Sequence, residues 1–178
     1  MLPVPLPLAG GARGGPVPTR QSPMTAPMTA IVLIQPEIPG NTGAVGRTCV
    51  ALGMELILIH PLGFDISDKR VKRSGLDYWP HVRLTEYASW DAFLAARTPR
   101  EDQLFLFEEF GAKSFYEPEY PDDAFLVFGQ ETKGIPRSIV VQHKERLFRL
   151  PMRSEVIRSL NLANTVAAAA YQALRGKL

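Results

Sequence analysis

Three short segments of the chain combine glycine, proline and polar side chains in ways that suit binding of a phosphate or a nucleotide. The first segment reads Pro36-Glu37-Ile38-Pro39-Gly40-Asn41-Thr42-Gly43-Ala44-Val45-Gly46-Arg47. Its prolines hold an extended loop, and Asn41 or Thr42 is placed to cap a following helix. Arg47 then lies one turn inside that helix, where free N–H groups and a guanidinium can bind a phosphate. A plain capped helix with a solvated arginine fits the same residues.

The second segment, Phe128-Gly129-Gln130-Glu131-Thr132-Lys133-Gly134-Ile135-Pro136, follows an apolar run. Glycine lets a ligand approach the main chain, whose N–H and C=O groups can read the edge of an adenine. Taken alone, the segment also fits an ordinary turn between a strand and a helix.

The third segment contains Leu150-Pro151-Met152 and, after a short charged stretch, Arg158-Ser159-Leu160-Asn161. Ser159 or Asn161 can cap a helix whose Ala167–Ala170 run permits close packing. A plain core helix is the alternative, but a buried helix start usually needs its polar groups for something.

Apolar runs alternate with helical patterns from residue 30 onward, which predicts the elements that position these segments. The predicted strands are Ala30–Gln35, Glu55–His60, Gln103–Phe107, Ala124–Phe128 and Arg146–Leu150. The predicted helices are Thr42–Leu52, Tyr87–Arg97, a short one after Pro136, and Leu160–Arg175. Continuous apolar strands indicate an α/β fold with a mostly parallel sheet and helices on both faces. Each of the three segments follows a predicted strand, and ligands of such sheets bind where the strands end.

Composition limits the kinds of site that the chain can contain. Its 178 residues carry a net charge of +2 and include one cysteine, Cys49. An intramolecular disulfide is therefore impossible, and helical spacing favours a core position for Cys49. The scattered single histidines give a metal site little support, and no apolar run is long enough for a membrane span. A reducing cytoplasm is the expected compartment.

Charge is distributed unevenly along the chain. Arg13 and Arg20 account for the net charge, because the other 18 Lys and Arg residues balance 18 acidic ones. RNA binding would therefore depend on local patches, and Lys69, Arg70, Lys72 and Arg73 form the clearest basic run. Such a run either contacts RNA phosphates or forms a solvated face.

Residues 1–28 differ in composition from the rest. They are rich in Pro, Gly and Ala and contain no acidic residue. This composition predicts a disordered or mis-assigned N-terminal extension, with Met24 or Met28 as candidate start residues, ahead of a domain spanning residues 29–178.

Together, the order, spacing and sequence of the three segments resemble the trefoil-knotted RNA methyltransferase superfamily. They look most like its small tRNA (cytidine/uridine) 2′-O-methyltransferases, which act on the wobble nucleotide. The resemblance runs from about Ile31 to Tyr171 and includes Pro61-Leu62-Gly63-Phe64, Asp68-Lys69-Arg70 and Gly75-Leu76-Asp77-Tyr78. One departure is Ala44, where the family commonly has Asn.

The resemblance implies a C-terminal trefoil knot and a homodimer that binds tRNA. It implies that S-adenosylmethionine contacts Phe107, Gly129, Glu131, Leu150, Met152, Ser159 and Leu160. The implied RNA-binding residues are Asn41, Arg47, Arg158, Asn161, Tyr171, Lys69 and Arg70. Arg47 is also the implied catalytic residue. Because a guanidinium holds its proton, Arg47 is expected to orient the 2′-hydroxyl rather than act as the base.

Several other functions can be weighed against this expectation. A dinucleotide-binding oxidoreductase needs G-x-G-x-x-G after the first strand, and Gly40-Asn41-Thr42-Gly43 does not supply it. The open-sheet methyltransferases also carry a glycine-rich first loop, which is missing here. Methylation of another tRNA or rRNA nucleotide, and a non-catalytic RNA-binding homologue, stay open.

Overall fold

The structure is a computed structural model that describes residues 28–66 and 77–178. In these ranges the strands are β1 (Ala30–Ile34), β2 (Glu55–Ile59), β3 (Arg83–Tyr87), β4 (Leu104–Phe107), β5 (Lys113–Ser114), β6 (Phe125–Phe128) and β7 (Leu147–Arg149). The α-helices are α1 (Pro39–Leu52), α2 (Trp90–Arg97), α3 (Arg137–Gln142) and α4 (Leu162–Ala173).

The strands form one parallel sheet in the order β3-β2-β1-β6-β4-β7-β5. Leu33 of β1 lies opposite Leu58 of β2 on one side and Phe128 of β6 on the other. In chain order, β1, β2 and β3 form one half of the sheet, and β4 to β7 form the other half on the opposite side of β1. The strand order therefore reverses beside β1, and such a reversal is where open α/β sheets bind ligands.

Alternate residues of the central strands enter two separate cores. Ile31 and Leu33 of β1 pack in one core with α1 and α4. Val32 and Ile34 pack in the other core, with Phe93 of α2 and Ile139 of α3. Burial on both faces explains why these strands are continuously apolar. The predicted α/β class, with helices on both faces, is confirmed.

The first and last helices pack closely against each other. Ala169 and Ala170 of α4 are fully buried in the core that α1 also lines, so this half of the alanine run does not form a surface for a second chain. The close packing predicted for the Ala167–Ala170 run is confirmed for that half. Cys49 of α1 is fully buried in this core, and burial raises the pKa of its thiol to about 12, which confirms its core position.

The structure also contains two strands that the sequence pattern did not predict, β3 and β5. β3 reads Arg-Leu-Thr-Glu-Tyr and lies at one edge of the sheet, and the two-residue β5 lies at the other. An edge strand needs no continuous apolar run, because one of its sides meets solvent. No helix in the described ranges is long and apolar enough to cross a membrane.

Candidate functional site

A cleft of about 410 Å³ lies at the carboxyl ends of β4, β6 and β7 and beside the start of α1. All the residues expected around the cofactor line it, namely Phe107, Gly129, Glu131, Leu150, Met152, Ser159 and Leu160. Three of the residues expected to bind RNA also line it, namely Asn41, Arg158 and Asn161. The fold thus brings together segments that are far apart in the sequence.

The turn after β6 depends on two glycines. Gln130 and Gly134 exchange backbone hydrogen bonds of 3.0 and 2.9 Å, which close the turn. A Cβ at Gly129 would lie 2.0 Å from the carbonyl carbon of Gly134, so a side chain at position 129 would open it. Gly134 has φ +69°, a conformation that L side chains rarely adopt. The backbone of this turn, rather than bulky side chains, therefore lines the cleft at Gly129 and Gly134.

The start of α1 is not capped in the predicted way. The helix begins at Pro39 after Ile38, which makes no side-chain capping bond, so capping by Asn41 or Thr42 is wrong. The backbone N–H groups of Glu37 and Ile38 instead donate to the Glu131 carboxylate at 2.8 and 3.2 Å. The Asn41 amide donates to the same carboxylate at 3.0 Å. The anion at this helix start is thus an internal carboxylate rather than a ligand phosphate.

The loop before α1 also accepts hydrogen bonds from the turn after β6. Thr132 donates to the Glu37 carboxylate from its backbone N–H at 3.0 Å and from its hydroxyl at 2.7 Å. The Gln130 side chain donates to Gln35 Oε1 at 2.8 Å. Residues 35–41 and 130–132 are therefore joined in both directions, and we name this pair of segments the clasp.

Asn161 connects the third segment to the clasp. Its side-chain oxygen accepts from the N–H of Ala163 at 2.9 Å, which confirms it as the cap of α4. Its amide donates to Asn41 Oδ1 at 3.0 Å. One side chain thus caps the last helix and holds the start of the first.

The other side of the cleft comes from residues 151–160, all of them exposed. Met152, Arg158, Ser159 and Leu160 line the cleft from this stretch. Beneath them, the rings of Phe107 and Phe128 stack with centroids 4.8 Å apart and an interplanar angle of 9°. The cleft therefore has an apolar base and one exposed wall.

Arg47 lies outside the cleft. Counted from Pro39 it is the ninth residue of α1, more than two turns inside the helix, so the expected position one turn inside is wrong. Its side chain is exposed, and its guanidinium carbon lies 4.8 Å from the ring centroid of Tyr78. The Tyr78 hydroxyl donates to the Gly43 carbonyl at 2.6 Å, which fixes the ring against α1. Arg47 therefore presents its charge on the outer surface of the helix.

Tyr171 lies near the end of α4, is 58% exposed and does not line the cleft. Lys69 and Arg70 lie outside the described residues, as do Lys72 and Arg73. The expected RNA-binding residues therefore divide into three at the cleft and two, Arg47 and Tyr171, on the helix surface.

Residues Glu108, Glu109 and Phe110 also line the cleft, although no motif marked them. They follow Phe107 directly at the end of β4. The rule that parallel sheets bind ligands where their strands end is the signal that would have found them. Among the described residues, no group of His, Cys, Asp and Glu is arranged to hold a metal ion.

The parallel sheet and the cleft at its strand ends define an α/β ligand-binding domain. The chain belongs to the SpoU rRNA Methylase family, which it matches over residues 28–171. The resemblance drawn from the three segments is thereby confirmed.

Individual relatives are similar over most of their length. A Listeria monocytogenes protein is 46% identical over 148 residues, which are 82% of this chain and 86% of that protein. The tRNA (cytidine(34)-2′-O)-methyltransferase of Burkholderia cenocepacia is 43% identical over 83% of this chain and 95% of its own. A solved structure that addresses 2-OH methylation of C/U34 on tRNA is 45% identical, with a TM-score of 0.77 over 83% of this chain and 95% of its own.

Proposed function

We propose that this protein transfers a methyl group from S-adenosylmethionine to the ribose 2′-oxygen of the wobble nucleotide, cytidine or uridine 34 of tRNA. The observation that carries the proposal is the cleft, where three segments marked by their residue types meet at the strand ends. Relatives that are over 40% identical to this chain where the sequences align carry the same activity in their names.

The lining of the cleft fits S-adenosylmethionine. Phe107, Leu150 and Met152 offer apolar contacts for a flat adenine, and the Gly129 turn offers main-chain donors and acceptors. When bound, the cofactor supplies a methyl group on a sulfonium. The residues proposed to hold it are those expected from the sequence, Phe107, Gly129, Glu131, Leu150, Met152, Ser159 and Leu160, and Glu131 acts through the clasp.

The protein's own part in the reaction is to align the 2′-hydroxyl and help it lose a proton. Arg47 is proposed to orient that hydroxyl, stabilise the developing alkoxide and hold an RNA phosphate, and the phosphate is the proposed proton acceptor. Because Arg47 lies outside the cleft of its own chain, this role requires it to reach the cleft of a second subunit. Its position on the outer surface of α1 supports that arrangement.

A homodimer with shared sites is therefore part of the proposal. Ile38 and Leu160 line the cleft yet are 47% and 43% exposed, as suits apolar side chains that meet a partner. Mixing Arg47→Ala subunits with Gly129→Val subunits tests it, since in the mixed dimer an intact cleft meets an intact Arg47. Recovered activity is expected on mixing, and a stable monomer of 19.7 kDa in light scattering would contradict the dimer.

The family resemblance also leads us to propose the C-terminal knot and a cytoplasmic location. The return of α4 to pack on α1, with Asn161 bonded to Asn41, supports the knot. The single buried thiol of Cys49 and a tRNA substrate support the cytoplasm.

Mass spectrometry of tRNA nucleosides from a deletion strain tests the activity most directly. The expected result is loss of 2′-O-methylcytidine or 2′-O-methyluridine at position 34, restored by the wild-type gene. Loss at another tRNA or rRNA position would replace the proposed target. An unchanged profile, together with no heat on titration of S-adenosylhomocysteine, would favour a non-catalytic RNA-binding protein.

A further inference from the structure

The cleft contains a carboxylate, that of Glu108, which neither the sequence motifs nor the reaction described above requires. Glu108 is the first residue after β4 and lines the same cleft as Phe107 and Gly129. Its backbone N–H donates to the Phe148 carbonyl at 2.9 Å, and its own carbonyl accepts from the N–H of Gly111 at 3.1 Å. The main chain at Glu108 is therefore fixed between β4 and β7, and its side chain is only half-exposed to solvent.

The carboxylate is held beneath the turn after β6. One oxygen accepts a short hydrogen bond from the backbone N–H of Ile135. A Cβ on Gly134 would lie 2.6 and 2.8 Å from the two carboxylate oxygens, so glycine at that position makes room for them. The position of the charge is thus set by the same turn that shapes the cleft.

The charge of Glu108 has no cation beside it in the described ranges. None of the ion pairs formed there includes Glu108, and the two other acidic residues that line the cleft, Glu109 and Glu131, add negative charge. Burial is the main reason why the pKa of Glu108 is raised, and the Glu109 carboxylate adds to the rise. Hydrogen bonds from the backbone N–H groups of Ile135 and Glu109 oppose it. Lys133 and Arg158 line the cleft without pairing with it. A half-buried carboxylate in this state is stabilised when a cation enters the cleft.

The methyl donor and its product differ in charge by one unit. S-adenosylmethionine has a positively charged sulfonium, whereas S-adenosylhomocysteine has a neutral thioether in its place. We propose that Glu108 is a specificity-determining residue that makes the cleft prefer the cationic donor over the neutral product. This inference rests on the proposed use of S-adenosylmethionine. Its consequence is that the spent cofactor leaves more readily than the donor does.

Titration calorimetry of the full-length protein tests this with Glu108→Gln and, as a matched control, Glu109→Gln. Glutamine keeps an oxygen to accept from Ile135 N–H while removing the charge. The probes are S-adenosylmethionine, S-adenosylhomocysteine and sinefungin, in which an amine replaces the sulfonium. The readout is the ratio of affinities for donor and product, because uniform damage to the cleft cancels in that ratio.

In Glu108→Gln the affinities for S-adenosylmethionine and sinefungin are expected to fall about tenfold, the effect of one opposite charge at close range, with S-adenosylhomocysteine within about threefold. Glu109→Gln is expected to leave the ratio unchanged. Glu108→Asp, which keeps the charge, should retain a preference for the donor.

Equal losses for all three probes in Glu108→Gln would overturn the role of Glu108 and leave the proposed function intact. Equal changes of the ratio in Glu108→Gln and Glu109→Gln would also overturn it, because the effect would then not belong to the buried charge. Wild-type protein that binds none of the three probes would overturn the proposed function itself, and this inference with it.

Discussion

The two walls of the cleft are built in different ways. One wall is the clasp, where side chains and backbone of residues 35–41 and 130–132 bond to each other in both directions. The other wall is the exposed stretch 151–160, where the side-chain hydrogen bonds among described residues are two short-range ones to Ser154 Oγ. Both walls line the same cleft, but only the clasp has its geometry set by long-range contacts.

The clasp is therefore preorganised for binding, whereas the exposed wall can change its conformation when a ligand binds. The clasp fixes the start of α1 and the Gly129 turn before any ligand arrives, so binding there loses little conformational entropy. The exposed wall has few contacts to break and can adjust around the ligand. We therefore expect changes in the clasp to lower stability, and changes in the exposed wall to alter binding while stability stays the same.

The largest effect is expected from a residue outside both walls. Arg47→Ala should lower turnover by about 10²-fold or more, as loss of a contact to a developing oxyanion does, because the alkoxide loses its guanidinium. Affinity for S-adenosylhomocysteine should stay within about threefold, since the two walls form the cleft without Arg47. Arg47→Lys should recover little, because an ammonium lacks the planar pair of donors.

Single-turnover methyl transfer to saturating tRNA, paired with calorimetry, provides the measurement. Near-normal turnover in Arg47→Ala would remove Arg47 from the mechanism. Collapse of cofactor binding would instead make it part of the cleft.

Removing the Glu131 carboxylate should have the next largest effect. Glu131→Ala deprives two backbone N–H groups and the Asn41 amide of their acceptor, and about 2 kcal/mol of unfolding free energy should be lost. The matched control is Glu155→Ala, an exposed glutamate of the other wall, which should cost less than about 0.5 kcal/mol. Urea unfolding followed by tryptophan fluorescence measures both. Equal costs would mean that the walls do not differ in the way described.

Asn161 permits a finer test, because it caps α4 and also bonds to the clasp. Asn161→Ala should lower the unfolding free energy by about 1 kcal/mol, the usual value of a lost cap. Asn161→Asp keeps the oxygen that accepts from Ala163 and should recover most of that loss. If the aspartate variant is as unstable as the alanine variant, the bond to Asn41 contributes more than the cap. Thermal unfolding of the three proteins gives the comparison.

The smallest effect is expected in the reactivity of Cys49, whose native thiol reports on the opening of α1. Burial raises the pKa of its thiol to about 12, so in the folded protein at pH 8 almost no thiolate is present to react. Alkylation should therefore be slow in wild type, faster in Glu131→Ala, and unchanged in Glu155→Ala. Mass spectrometry over time measures it. Rapid alkylation of wild type would show that α1 opens readily despite the clasp.

The central part of the fold was predictable because its physical signal is local. β1, β2, β4 and β6 are buried on both faces and must be continuously apolar, so short apolar runs marked them within a residue or two. β3 lies at an edge and has polar residues at three of its five positions, and β5 has two residues, so neither gives that signal.

The candidate site was predictable in its residues but less so in their contacts. Gly129 and Asn161 were marked by glycine freedom and by capping, both of which are local properties. The cap of α1 was missed because its acceptor, Glu131, lies 94 residues from the N–H of Glu37. Spacing along one helix likewise could not show that Arg47 lies outside the cleft.

The bond between Asn161 and Asn41 has a consequence for how the protein is made. These residues are 120 positions apart, and the wall between β7 and α4 follows the last strand of the sheet in chain order. Contacts of such high sequence separation form slowly, because a long loop must close first. During synthesis, a chain that has not passed residue 161 has the sheet's central strands but not the completed cleft. We therefore expect methyl transfer to begin only after α4 has left the ribosome and docked on α1.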